Sequence, residues 1–198
     1  MRSVLFTLLL SLLVSASAQA KKILFVGNSL TYTNNLPSLV EQEAKSRGLK
    51  VKTISLAHPN YAIIDHWNDG EVQKYIKSQK YDYLVVQQGP SSQSEGRRML
   101  IEDGNKLQKL CEQSGVKLVY FMVWPSRKYY HTFDGVIKNH KEAAEKNGAI
   151  LCPVGEAWKS YFENTNDYSL YSSDGFHPSP KGSRLAAEVI VDTLLENE

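Results

Sequence analysis

Cysteine is scarce in this chain. There are two, Cys111 and Cys152, so a multiple-disulfide framework is excluded as the source of stability. Neither lies at metal-ligand spacing or beside a histidine, which removes the usual sequence signs of a zinc site or a thiol nucleophile. Charge of one sign is also lacking: 23 Lys and Arg stand against 21 Asp and Glu, a net +2. That balance gives no electrostatic argument for nucleic acid or an anionic membrane surface as partner. Internal repeats, low-complexity stretches and a Pro- or Gly-rich linker are absent too. Beyond the first twenty residues, no apolar run approaches the roughly 20 residues needed to cross a bilayer.

Those first residues read as a leader. Arg2 supplies a positive start, Val4 to Val14 an apolar core and Ala18-Gln19-Ala20 an A-x-A cleavage site. Residues 1–20 are therefore expected to be a secretory signal cleaved after Ala20, and residues 21–198 one domain. The product is expected to be secreted or periplasmic, without stable membrane association. No cysteine near the cleavage point suggests a lipoprotein. Export makes a disulfide permissible. Yet Cys111 falls on an expected helix and Cys152 near the end of an expected strand, so two buried thiols fit equally well.

What is present is a recurring alternation. Apolar runs occur at Lys22–Val26, Val51–Leu56, Tyr83–Gln87, Val116–Val123 and Ala149–Val154, several of them continuous, as strands buried on both faces are. Between and after them, Leu36–Arg47, Val72–Ser78, Gly96–Ser114, Phe133–Asn147 and Lys181–Glu198 carry helical spacing. Strand–helix alternation predicts right-handed crossovers and a three-layer α/β/α sandwich around a five-stranded parallel sheet. In such sheets ligands bind beyond the carboxyl ends of the strands. Ser29, the Gly89-Pro90-Ser91-Ser92 turn and Trp124-Pro125 each follow an expected strand, and so should share one rim. Eleven tyrosines and three tryptophans suit carbohydrate contact and ordinary core packing alike.

Two short segments carry the chemistry. Ile23-Leu24-Phe25-Val26 empties into Gly27-Asn28-Ser29-Leu30, which sets a serine hydroxyl at a strand end. Near the other terminus, Asp174-Gly175-Phe176-His177-Pro178 puts a carboxylate three residues before a histidine. Gly175 permits a tight turn and Pro178 fixes its exit, so the carboxylate can orient one imidazole nitrogen and leave the other for a serine. A nucleophile, a base and an orienting group are thereby available. His58, His66, His131 and His140 lack a recognised metal or catalytic spacing. A cofactor is not expected.

Ile23 through Tyr32 resembles the first block of the SGNH hydrolases, the GDSL-type esterases and lipases, with Asn28 where the name-giving motif has Asp. Asp174-x-x-His177 is similar to their last block, and Val85–Ser92 resembles a variant third block. The resemblance implies a flavodoxin-like fold and ester hydrolysis. In it Ser29 is the nucleophile, His177 the base and Asp174 its orienting carboxylate, with the Ser29 N–H in the oxyanion hole. Two departures follow. The family's glycine after the second strand is missing from Ala57-His58-Pro59-Asn60-Tyr61, which leaves Asn60 as the residue that tolerates a left-handed backbone. The family's third-block Asn is missing too, so Gln88 or Ser91 is expected to donate instead. Trp124 is expected either to shape a substrate pocket or to pack at the sheet edge.

The substrate this implies is a small or glycan ester, and removal of acetyl groups from a carbohydrate fits export and the aromatic content. The alternatives are a lipid or lysophospholipid esterase, and an exported carbohydrate-binding module that has lost turnover.

Overall fold

Every residue from Ile23 to Gly27 is buried, as a strand covered on both faces requires. The computed structural model describes residues 19–195; the leader expected over residues 1–20 falls almost wholly outside them. In chain order the elements are β1 (Lys21–Gly27), α1 (Ser29–Tyr32), α2 (Leu36–Ser46), β2 (Val51–Ala57), α3 (Ile63–Asp69) and α4 (Glu71–Ser78). β3 (Tyr83–Val86), α5 (Ser94–Ser114), β4 (Lys117–Phe121), α6 (Phe133–Lys146), β5 (Ile150–Cys152), α7 (Val154–Thr165) and α8 (Pro180–Leu195) follow.

The five strands pair in parallel in the order β2-β1-β3-β4-β5. The expected three-layer fold is present. Strand periodicity divides the core in two. Ile23, Phe25, Val85, Val119 and Phe121 face α2, α7 and α8, where Val40, Trp158, Phe162 and Ile190 pack on them. Leu24, Val26, Leu84, Val86 and Leu118 face α3, α4 and α5, against Ile63, Val72, Ile76 and Leu107. Each such side chain contributes about 1.5–3 kcal/mol when fully buried. The sheet also settles the cysteine alternative: both are free and buried, Cys152 in the first layer and Cys111 in the second.

α3 and α7 lie outside the helices expected from the sequence. The α7 signal was available, since Val154, Trp158 and Phe162 recur every fourth residue and are all buried. The expected fifth strand had absorbed Val154, although Pro153 marks the start of the helix.

The strand order reverses direction at β1. The chain leaves β1 for β2 on one side and returns to β3 on the other, which makes the β1/β3 carboxyl ends the topological switch point where such sheets bind ligands.

Candidate active site

Ser29 is built into this crevice by its neighbours. Asn28, at φ −130°, caps α1 by accepting the Leu30 N–H at 3.1 Å on its side-chain oxygen. Ser29 is thus the first helical residue, and its N–H has no helical carbonyl to bond. From the far side of the crevice, Gln87 Oε1 accepts both the Asn28 N–H at 3.0 Å and the Thr31 hydroxyl at 2.9 Å. Gly27 is required by space: a Cβ there would lie 2.4 Å from Thr31 Oγ1 and 2.5 Å from Gln87 Oε1.

The loop before α8 brings in the other two groups. His177 Nε2 lies 2.9 Å from Ser29 Oγ, and His177 Nδ1 lies 2.6 Å from Asp174 Oδ2. Gly175 makes the turn between them at φ +69°. Asp174 Oδ1 accepts from Ser172 Oγ and from the Phe176 and His177 N–H groups, at 2.8, 2.8 and 2.9 Å. Desolvation pushes the Asp174 carboxyl upward, but the bonds from His177, Phe176 and Ser172 outweigh it and hold it well below the usual carboxylate range. An ionised Asp174 can only accept, so Nδ1 carries the imidazole proton and Nε2 offers its lone pair to the serine hydroxyl. All three residues expected from the two motifs are therefore together, in relay geometry.

The β2–α3 loop forms the next wall. His58, Pro59, Asn60 and Tyr61 make a turn closed by the Tyr61 N–H on His58 O at 3.3 Å. Asn60 takes φ +62°, the left-handed backbone expected of it, at the position where a turn with Pro before it needs one. Asn28 Nδ2 donates to Tyr61 O at 3.0 Å, tying this loop to the serine turn. His66 is buried and its Nε2 donates to Gly27 O at 2.8 Å. Burial pushes its pKa down against the opposing pull of that carbonyl, so His66 is a neutral strut.

Three of the residues singled out for substrate or oxyanion contact serve elsewhere. Gln88 Nε2 donates to Ser91 Oγ at 2.9 Å, and its Oε1 accepts the Ile63 N–H at 3.4 Å. Ser91 Oγ in turn donates to Gly89 O at 3.0 Å. Both are buried and bonded to each other, so neither is presented to Ser29 as an oxyanion donor. Trp124 is fully buried, stacked on Trp158 with centroids 3.5 Å apart. It shapes no pocket; its Nε1 donates to Phe176 O at 3.0 Å and so braces the His177 loop from behind. The residue that sequence reading passed over is Gln87. Its position at the end of β3, beside β1, was the available signal.

Two depressions flank the His177 loop, and Asp174 borders both. The smaller, of about 440 Å³, holds Ser29 and His177 with Tyr32, Asn34 and Pro178 around them. The larger is a groove of about 1110 Å³ lined by Pro125, Arg127, Lys128, Tyr129 and Phe176 among others. Among the described residues no group of three or more His, Cys, Asp or Glu could hold a metal ion, and no helix is long and apolar enough to cross a membrane.

No family model and no curated protein matches the sequence. Solved structures do match. A candidate SGNH hydrolase from Slackia heliotrinireducens is 26% identical, with a TM-score of 0.72 over 89% of this chain and 100% of its own. The lipase/acylhydrolase from Enterococcus faecalis is 18% identical, with a TM-score of 0.69 over 87% of this chain and 94% of that one. The acetyl xylan esterase AlAXEase is 14% identical, with a TM-score of 0.72 over 88% of this chain and 100% of that one. The chain thus has the fold of these SGNH hydrolases, with a serine at the β1 switch point and an Asp and a His on its last loop set as in an ester hydrolase.

Proposed function

We propose that the chain is an exported carbohydrate O-acetylesterase working through an acyl-Ser29 intermediate. The observation that carries the chemistry is the unbroken relay Ser29 Oγ–His177 Nε2, His177 Nδ1–Asp174 Oδ2, at 2.9 and 2.6 Å. Ser29 Oγ attacks the ester carbonyl while His177 Nε2 takes its proton, and the charge on the imidazolium is balanced by Asp174. The tetrahedral oxyanion draws on the Ser29 N–H and the Asn60 N–H. Its collapse breaks the C–O bond, and His177 passes the proton to the departing sugar hydroxyl. Water then attacks acetyl-Ser29, His177 takes a water proton and returns it to the serine oxygen, and acetate leaves.

A short acyl group is supported by what surrounds Ser29. The 440 Å³ depression is lined by Ser, Thr, Asn, Tyr, Asp, His and Pro and by no Leu, Ile, Val, Met or Phe. A long acyl chain gains about 0.8 kcal/mol per buried CH₂ only where apolar surface receives it. The carbohydrate alcohol draws support from the acetyl xylan esterase among the fold neighbours, and export from the signal-like pattern of residues 1–20 in the sequence.

The test is hydrolysis of an aryl acetate and of its longer acyl homologues. Ser29→Ala should cut the rate by at least about 10³ in folded protein, and wild type should favour acetyl. Equal rates for variant and parent sink the assignment; preference for chains beyond about eight carbons turns the substrate toward lipid. A second reading, a glycan-binding module without turnover, is favoured by the engagement of Gln88 and Ser91 with each other, since loss of one oxyanion donor costs about 10²–10³ in rate. An organophosphonate separates the two: a covalent adduct on Ser29 supports the enzyme, and its absence in folded protein supports the module.

A further inference from the structure

The larger groove on the Asp174 side plays no part in the relay, yet its charge is uneven. Arg127 and Lys128 lie on its wall and make no ion pair among the described residues. In a chain of net charge +2 this is a local excess of positive charge. The one carboxylate on the wall is Asp174, and it is already bound by His177, Ser172 and two backbone N–H groups. Arg127 is not loose: its guanidinium lies over the Tyr168 ring at 4.6 Å, and its N–H donates to Gly175 O at 2.7 Å inside the catalytic loop.

The aromatic surface shows the same placement. Among the described residues, Tyr32 and Tyr129 are the exposed large hydrophobic side chains, at 42% and 54%. Tyr32 borders the Ser29 depression and Tyr129 the groove. One ring therefore stands on each side of the Asp174–His177 loop. Exposed rings with an apolar face and a polar edge suit the faces of sugar rings. Guanidinium and ammonium groups that lie over aromatic rings, Arg127 on Tyr168 and Lys128 on Tyr129 at 5.5 Å, and have no carboxylate partner among the described residues suit the carboxylate of a ligand. We propose that the groove is the subsite for a carboxylate-bearing sugar of a uronate-containing glycan chain, with Tyr129 as its platform and Arg127 and Lys128 as its anion contacts. This rests on the O-acetylesterase reading, because the chain would lie across the loop with its acetylated unit at Ser29 and an acidic unit in the groove.

Binding of an unesterified oligogalacturonate, measured by calorimetry on the Ser29→Ala protein, tests the groove without turnover. Lys128 and Tyr129 are both exposed, so Lys128→Glu and Tyr129→Ala should unfold at the parent temperature. Each should weaken oligogalacturonate binding at least about tenfold, and added salt should weaken binding to the parent. A neutral xylo-oligosaccharide of equal length should bind more weakly and ignore Lys128→Glu. Equal affinity for acidic and neutral chains, indifference to Lys128→Glu, or binding of phosphatidylglycerol vesicles in place of the oligouronate would overturn the proposal. The aryl acetate and phosphonate experiments read Ser29 alone. Oligouronate binding without hydrolysis keeps the groove and sinks the esterase; hydrolysis without oligouronate binding does the reverse.

Discussion

Gln87 shows how one buried amide can govern a nucleophile that it does not touch. Its Oε1 accepts from the residue before Ser29 and from the residue two after it, so the serine turn is held from both sides. Its Nε2 is buried with no partner among the described residues, a cost the fold bears at the switch point. Flipping the amide would lose the first of these bonds, because the Asn28 N–H requires an acceptor, whereas the Thr31 hydroxyl could accept instead of donate. Gln87→Leu should leave that N–H and the Thr31 hydroxyl buried and unpaired, destabilising the protein by about 1–3 kcal/mol. It should also lower kcat on an aryl acetate more than it raises KM, because it shifts Ser29 rather than the binding surface. Chemical denaturation with parallel kinetics checks both; a stable variant with parent kcat would show that the turn is held by something else.

Among the elements, the loop from Leu170 to Ser179 decides whether a triad exists. The Ser172 N–H donates to His177 O and the Ser179 N–H to Leu170 O, each at 2.8 Å, which pinches its base. Tyr171 Oη donates to Pro125 O at 2.7 Å, and Trp124 Nε1 to Phe176 O at 3.0 Å, fastening it to the segment after β4. Trp124→Phe keeps an aromatic ring beside Trp158 but removes the donor. The expected outcome is a loss of about 1–3 kcal/mol in denaturant unfolding, with a several-fold fall in kcat as His177 loses its backing. Unchanged kcat would confine Trp124 to packing. These elements also show why the site was only partly legible in the sequence. Asp174 and His177 could be read because a three-residue turn determines their mutual geometry locally. Ser29 could be read because a buried strand must end at the sheet rim. Gln87 and Gln88 could not be told apart, since successive residues at a strand end point to opposite sides. One reaches the β1 crevice, and the other turns to Ser91. Trp124 was ambiguous for a related reason: adjacency to the rim does not say whether a ring faces solvent or the layer beneath it.

For the whole molecule, the acid limit of stability should be set first by a histidine far from catalysis. His140 on α6 is buried, donates Nδ1–H to Val136 O at 2.8 Å, and has no partner for Nε2 among the described residues. Burial pushes its pKa down to about 4 against the opposing pull of that carbonyl, whereas an unfolded histidine titrates near 6.5. Above the unfolded value both states are neutral and stability is full. As pH falls from about 6.5 to about 4 the unfolded chain takes up a proton that the folded one refuses, and stability drops throughout that window. Below it both states are protonated and the loss levels off at roughly 3 kcal/mol, from 1.36 kcal/mol per pKa unit. The carboxylates act lower. Glu142, held down to about 2 by hydrogen bonds from Arg97 and then Lys146, loses its contribution only as pH falls through the acidic carboxylate range. Asp174 follows the same sign, lower still. His66 shares the direction of His140 and overlaps its window, so the histidine terms are separated by substitution rather than by pH alone. His140→Leu leaves the Val136 carbonyl to its helical N–H and removes the titration. Urea unfolding at pH 7 and pH 4 should show the parent losing about 3 kcal/mol more than the variant between the two; parallel losses would mean that water or local opening already lets His140 protonate in the folded state.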